Sequence, residues 1–158
     1  MTRHLLIVCT GNTCRSPLAE AIARRLIALR GLDVTVASAG TNASEGMPAS
    51  DGSLLVGLER SLDLSLHRAR LLTRERLAEA DLVLTMAAHH VERAGELGGA
   101  GKAFLLTDYG REQQTGRSIA DPFGGAVEEY RRMADVLELE LGHVVHRLAV
   151  EQAPPESP

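Results

Sequence analysis

Apolar positions along this chain fall into short continuous runs, separated by stretches in which they recur with helical spacing. Residues 4–9 hold the run Leu5-Leu6-Ile7-Val8, closed by Thr10-Gly11-Asn12. This predicts a buried parallel strand feeding a turn. Ser16-Pro17 then opens a helix, with Ser16 as the expected N-cap and Pro17 where a missing N–H costs nothing. Leu18, Ile22, Leu26 and Leu29 form its expected apolar stripe, and Gly31 its stop. Val34 and Val36 alternate with polar residues in a second strand that ends at Ser38-Ala39-Gly40-Thr41.

Helices are expected around 50–61 and 74–79, and buried strands at 81–86 and 103–106. A further helix precedes the stretch Gly95–Gly101, which reads as flexible. Residues 107–124 are polar and read as one long loop, a kind of segment that often carries function. A helix from about 125 to 150 closes the pattern. The expected organisation is one domain over 1–151 with a frayed tail at 152–158. Strands alternating with helices define an α/β fold around a parallel sheet, with its site at the C-terminal strand ends.

Composition narrows this picture. At 158 residues and 44% hydrophobic, the chain can bury one core without disulfides or metals. Aromatic residues make up only 3%, so Leu, Val, Ala and Ile must fill that core. A formal net charge of -4 gives no broad electrostatic case for nucleic acid. The apolar run near the start is too short for a membrane span or a secretory leader, so a cytoplasmic protein is expected; a monomer is the separate expectation for its assembly. The only two cysteines, Cys9 and Cys14, share one glycine-bearing loop. Such spacing points to thiol chemistry in a reducing compartment rather than to a disulfide framework.

That loop, Cys9-Thr10-Gly11-Asn12-Thr13-Cys14-Arg15-Ser16, lies between the first strand and the first helix. A strand-to-helix loop of this kind turns several backbone N–H groups toward one point, beside the positive end of a helix dipole. It can bind a tetrahedral oxyanion such as phosphate. A cysteine at its mouth gains from the same field, which favours the nucleophilic thiolate. Arg15 can grip two phosphate oxygens through its planar fork.

Val8 to Pro17, with Ser38-Ala39-Gly40-Thr41, His67-Arg68-Ala69-Arg70, Ala80 to Leu84 and Asp121-Pro122-Phe123, resembles the low-molecular-weight phosphotyrosine phosphatase family over nearly the whole chain. The resemblance implies a three-layer, Rossmann-like fold, with a four-stranded parallel sheet and helices on both faces. It also implies a phosphocysteine on Cys9, with Arg15 as the other catalytic residue of the loop and Asp121 as the general acid. Thr10, Gly11, Asn12, Thr13, Cys14 and Ser16 then belong to the substrate-binding loop, with Phe123 beside it, and Ser38 and His67 support the loop from behind. No metal or cofactor is expected. An Asp-Pro pair is also ordinary turn chemistry, and Asn12 suits a left-handed backbone position in a tight loop.

The sequence departs from the tyrosine-specific pattern at Thr13, where a bulky aliphatic residue is usual, and in having few aromatics around the loop. Thr13 together with Asp121-Pro122-Phe123-Gly124-Gly125 is similar to bacterial protein arginine phosphatases, so the expected substrates are proteins carrying phosphoarginine, with phosphotyrosine as the alternative. A guanidine leaves only with a proton, because arginine's pKa lies above ~12. A carboxyl at Asp121 can orient the group and supply that proton.

Other readings fit less well. Arsenate reduction on this fold needs a further downstream cysteine to relay the disulfide. A non-catalytic phosphate-binding module or a phosphocysteine carrier has no use for Asp121. A redox switch pairing Cys9 with Cys14 can coexist with the enzyme. His143 and His146, at i,i+3, and His89-His90 lack a third partner for metal in the sequence.

Overall fold

The computed structural model describes residues 1–155, and the part of the frayed-tail reading at 156–158 lies outside them. Strands β1 (Arg3–Cys9), β2 (Val34–Gly40), β3 (Leu82–Thr85) and β4 (Ala103–Leu105) form one sheet in the order β2-β1-β3-β4, and every pairing is parallel. Helices α1 (Arg15–Arg30), α2 (Asp51–Glu59), α3 (Arg74–Glu79), α4 (Ala88–Ala94), α5 (Leu106–Arg111) and α6 (Val127–Gln152) surround it. This is the expected three-layer α/β architecture.

Both faces of β1 are buried, and alternate residues feed two separate cores. Leu5, Ile7 and Cys9 join Leu82 and Leu84 in a large cluster with α1 and α6, whereas Leu6, Val8 and Val83 face Leu77 and Ala94 on the other side. The chain leaves β1 for β2 on one side, and β3 lies on the other. The C-terminal end of β1 is therefore the crevice where ligands bind in open parallel sheets.

Several local expectations are corrected by packing. Helix α1 begins at Arg15 after Cys14, whose side chain makes no capping bond. Ser16 sits inside the first turn, fully buried, with its hydroxyl engaged elsewhere. Leu29 is exposed, and the buried stripe of α1 runs through Leu18, Ala19, Ile22, Ala23 and Ile27. Gly31 does end the helix in a left-handed conformation, φ 62°, as its missing Cβ allows. Part of the expected long loop is α5, held by Leu106 and Tyr109 in the core. Gly95–Gly99 continues α4 as a wide turn in which Gly98 takes φ 101°. Helix α6 runs on to Gln152.

Gly40, at the end of β2, decides whether the loop after β1 can sit where it does. A Cβ there would lie 2.4 Å from the Thr10 carbonyl oxygen and 2.9 Å from the Asn12 nitrogen. Both are backbone atoms that cannot swing aside. Gly40→Ala is expected to cost about 1–3 kcal/mol by overpacking. Because the displaced segment is the anion loop, activity should fall by more than about tenfold even where the protein stays folded. Thermal unfolding together with turnover of an aryl phosphate checks this, and an Ala variant with normal activity would contradict it.

Candidate active site

Asn12 takes φ 54°, the left-handed conformation anticipated for this loop, and its side chain is fully buried. Its amide nitrogen donates to Ser16 Oγ at 2.7 Å and Ser38 Oγ at 2.9 Å, while its Oδ1 accepts from the Arg70 backbone N–H at 2.9 Å. His67 Nε2 lies 2.7 Å from the Asn12 carbonyl. Ser38 and His67, expected to support the loop, thus meet with Ser16 around one residue, Asn12: the serines on its side-chain amide and His67 on its backbone carbonyl.

The loop's carbonyls are tied outward. Cys9 O and Thr10 O accept from the N–H groups of Thr41 and Asn42, and Thr13 O accepts from Ser50 N at 2.8 Å. Ser53 Oγ donates to Cys14 O at 2.9 Å. With its carbonyls turned out, a loop must turn its amides in. Among the described residues the N–H groups of Gly11, Thr13 and Cys14 have no acceptor, and they form a nest at the start of α1.

Cys9 Sγ lies at that concavity, buried at the end of β1. The Asn12 N–H donates to it at 3.2 Å, and Ser16 Oγ is 2.9 Å away. Ser16 already accepts from Asn12, so its own proton is free for the sulfur. These are donors suited to a thiolate. Cys14 Sγ is turned to Ser50 Oγ at 3.2 Å and lies 3.7 Å from the Tyr130 hydroxyl, and both thiols are free.

Arg15 is buried and spans from the loop to the segment before α6. Its Nη1 donates to Ile119 O at 2.9 Å, and its Nη2 lies 3.6 Å from Asp121 Oδ2. The Asp121 side chain is 47% exposed. Its Oδ1 accepts from the Phe123 N–H at 3.1 Å, so Asp121 makes a turn and faces the loop at once. Thr13 is half-buried, and among the described residues its hydroxyl has no partner nearer than Cys14 Sγ at 3.8 Å. Phe123 is 77% exposed beside Asp121.

Two residues near the site carried no usable signal in the sequence. Tyr130 packs behind Cys14, where burial pushes its phenol pKa up, assisted by the Cys14 contact. His90 is fully buried with Nε2 2.8 Å from Thr10 Oγ1, whereas His89, His143 and His146 are exposed. Burial lowers the His90 pKa to about 4, and the charges of His89 and Arg15 add to this against the opposing pull of Asp121. Only the adjacent pair His89-His90 was visible in the sequence, without a hint of which one turns inward.

Residues 4–153 match the family model described as low molecular weight phosphotyrosine protein phosphatase, and the chain belongs to that family. Among its relatives, a protein-arginine-phosphatase of Geobacillus stearothermophilus is 38% identical over 156 residues, covering 96% of this chain and all of the relative. The low molecular weight protein-tyrosine-phosphatase Wzb of Escherichia coli K12 is 33% identical over 154 residues, 96% of this chain and 99% of Wzb. Among solved structures, a Cys-to-Ser mutant of the arginine phosphatase YwlE, with a phosphorylated active-site serine, aligns with a TM-score of 0.89. It is 34% identical, over 94% of this chain and 97% of that one. Among the described residues, no helix is long and apolar enough to cross a membrane.

The depressed His90 pKa links stability to pH. Between about 4 and 6.5 the unfolded chain binds a proton at this position that the folded protein does not. Stability contributed here is therefore present above pH 6.5 and is lost as pH falls toward 4. Thermal unfolding from pH 7.5 to 5 should show a steeper fall in Tm for the wild type than for His90→Gln. Equal slopes would remove His90 from the acid response.

Proposed function

We propose that this chain is a protein phosphatase that forms a phosphocysteine on Cys9, with proteins carrying phosphoarginine as its preferred substrates. The observation that carries the reading is one constellation. A buried thiol with two donors, a nest of inward amides and the Arg15 fork stand beside a half-exposed Asp121 carboxyl.

Phosphate oxygens bind the amides and Arg15, which places phosphorus in front of Sγ. The Cys9 thiolate attacks phosphorus, and the bond from phosphorus to the leaving nitrogen or oxygen breaks. Asp121 supplies the proton that the leaving group needs. Its carboxylate then takes a proton from water, the hydroxide attacks phosphorus, the S–P bond breaks and phosphate departs. The phosphorylated active-site serine in the Cys-to-Ser YwlE mutant supports a covalent intermediate on the loop nucleophile. A passive binding module or carrier has no role for a carboxyl beside the guanidinium of Arg15.

The arginine preference rests on what surrounds the loop. The chain has two Phe, two Tyr and no Trp. Phe104 and Tyr109 pack against each other near β4, and Tyr130 is buried behind Cys14. That leaves Phe123 to meet a phenyl ring, so stacking is sparse, while Thr13 gives the mouth a small polar side chain. The name of the Geobacillus relative agrees. Phosphotyrosine is the second reading, favoured by exposed Phe123 and by the name of Wzb.

Asp121→Asn is expected to slow substrates with basic leaving groups by ~10²–10⁴-fold, and aryl phosphates with acidic leaving groups far less. Equal losses on the two kinds would leave Asp121 only a binding role.

The substrate is decided by kcat/KM on matched phosphoarginine and phosphotyrosine peptides. Wild-type enzyme should favour phosphoarginine. Thr13→Ile adds apolar bulk that crowds and desolvates a guanidinium, and should shift the ratio toward phosphotyrosine by ~10–100-fold, about 1.4–3 kcal/mol. A wild type that prefers phosphotyrosine, or a ratio unmoved by the substitution, would overturn the arginine assignment.

A further inference from the structure

Of the six histidines in the chain, His90 is the one that is buried, and both of its ring nitrogens are engaged. The backbone N–H of Ala87 donates to Nδ1 at 3.1 Å, which bridges the start of α4. A neutral ring whose Nδ1 accepts must carry its proton on Nε2. Nε2 therefore donates to Thr10 Oγ1, 2.8 Å away. Arg15 Nη2 approaches the same oxygen at 3.5 Å. With its lone pairs facing those two donors, the Thr10 hydroxyl has only its own proton left to give. Among the described residues that proton has no acceptor.

Bridging the first turn of α4 would need Nδ1 alone. The second contact reaches the residue next to the nucleophile and the edge of the guanidinium that grips phosphate. We infer that His90 is a positioning residue for phosphoryl transfer: by donating from Nε2 to Thr10 Oγ1, it fixes the Thr10 hydroxyl as a donor to a phosphate oxygen and holds Arg15 in register. The inference rests on the phosphatase reading and adds to it a residue outside the loop, supplied from β3's far end through α4. Burial without charge suits the task. A cation there would compete with Arg15 for the incoming phosphate, whereas a neutral N–H only aims an oxygen.

The two nitrogens can be separated by substitution. Asn at position 90 keeps an acceptor near Nδ1 for the Ala87 N–H but falls short of Thr10. Gln places an amide N–H near Nε2 and gives up the bridge to Ala87. His90→Asn and His90→Gln are therefore compared for Tm, and for kcat and KM on p-nitrophenyl phosphate, in the wild-type and Thr10→Val backgrounds. His90→Asn should keep a near wild-type Tm and lose about tenfold or more in kcat, as misplacement of a phosphate-binding group does. His90→Gln should lower Tm and keep most of kcat. In the Thr10→Val background, His90→Asn should cost less than about twofold further, because its path of action is already gone. Activity that follows Tm across the variants overturns the inference, as does a His90→Asn loss that multiplies in full with that of Thr10→Val. A wild-type protein without turnover overturns the phosphatase reading as well, whereas active wild type with unaffected His90→Asn overturns this one alone.

Discussion

The site depends on one constraint: the carbonyl oxygens of Cys9, Thr10, Asn12, Thr13 and Cys14 must find partners outside the loop so that its amides can face inward. A buried carbonyl without a donor costs about 1–3 kcal/mol, so a nest of inward N–H groups is stable only where neighbouring segments satisfy its outer surface. Here the donors come from Thr41 and Asn42 after β2, from Ser50 and Ser53 at the start of α2, and from His67 in the connection to α3. Three chain segments far apart in sequence are thereby fastened to one loop. Asn12 is the centre of this arrangement, since its amide closes the same loop from inside and its backbone takes the left-handed turn.

Arg15 transmits that order to the other half of the site. Its bond to Ile119 O fixes the approach of the segment carrying Asp121, and Ile119 N in turn donates to Met86 O just past β3. Arg15 and Asp121 are thus set in register by shared backbone anchors rather than by their own 3.6 Å ion pair, which is exposed on the Asp121 side and weak for that reason. A partly exposed carboxyl also has room to move onto a leaving group. On the proposed mechanism, the rigid part of the site would hold phosphate and the adaptable part would handle the proton.

The mouth follows a different logic. Among the described residues nothing fastens the Thr13 hydroxyl strongly, and Phe123 stands largely in solvent. Discrimination between leaving groups in such a place comes from small differences in bulk, polarity and desolvation, each worth one to a few kcal/mol. That is why the proposed arginine preference is placed on one loop side chain, Thr13, and not on the thiol or the fork behind it.

Local signals in the sequence were enough to set the α/β class, the strand at 4–9, the glycine stop at Gly31 and the anion loop with its thiol and arginine. Each rests on short-range physics: a run of strand formers, a residue without Cβ, amides at a helix start. The family resemblance added Asp121 and the loop support of Ser38 and His67, whose meeting with Asn12 no spacing could reveal. What only the tertiary structure decided are the matters set by packing. Ser16 reads as an N-cap, yet its hydroxyl is claimed by Asn12 and Cys9, and the helix begins two residues earlier, after Cys14. Leu106 reads as the end of a strand and residues 107–111 as loop, yet the core captures Leu106 and Tyr109 and the segment folds as a helix. His89 and His90 are equivalent in the sequence, and only the direction in which α4 leaves β3 buries one and aims it at Thr10. Burial is a property of the whole fold, and adjacent residues on a helix meet different surroundings for no reason their own identities contain.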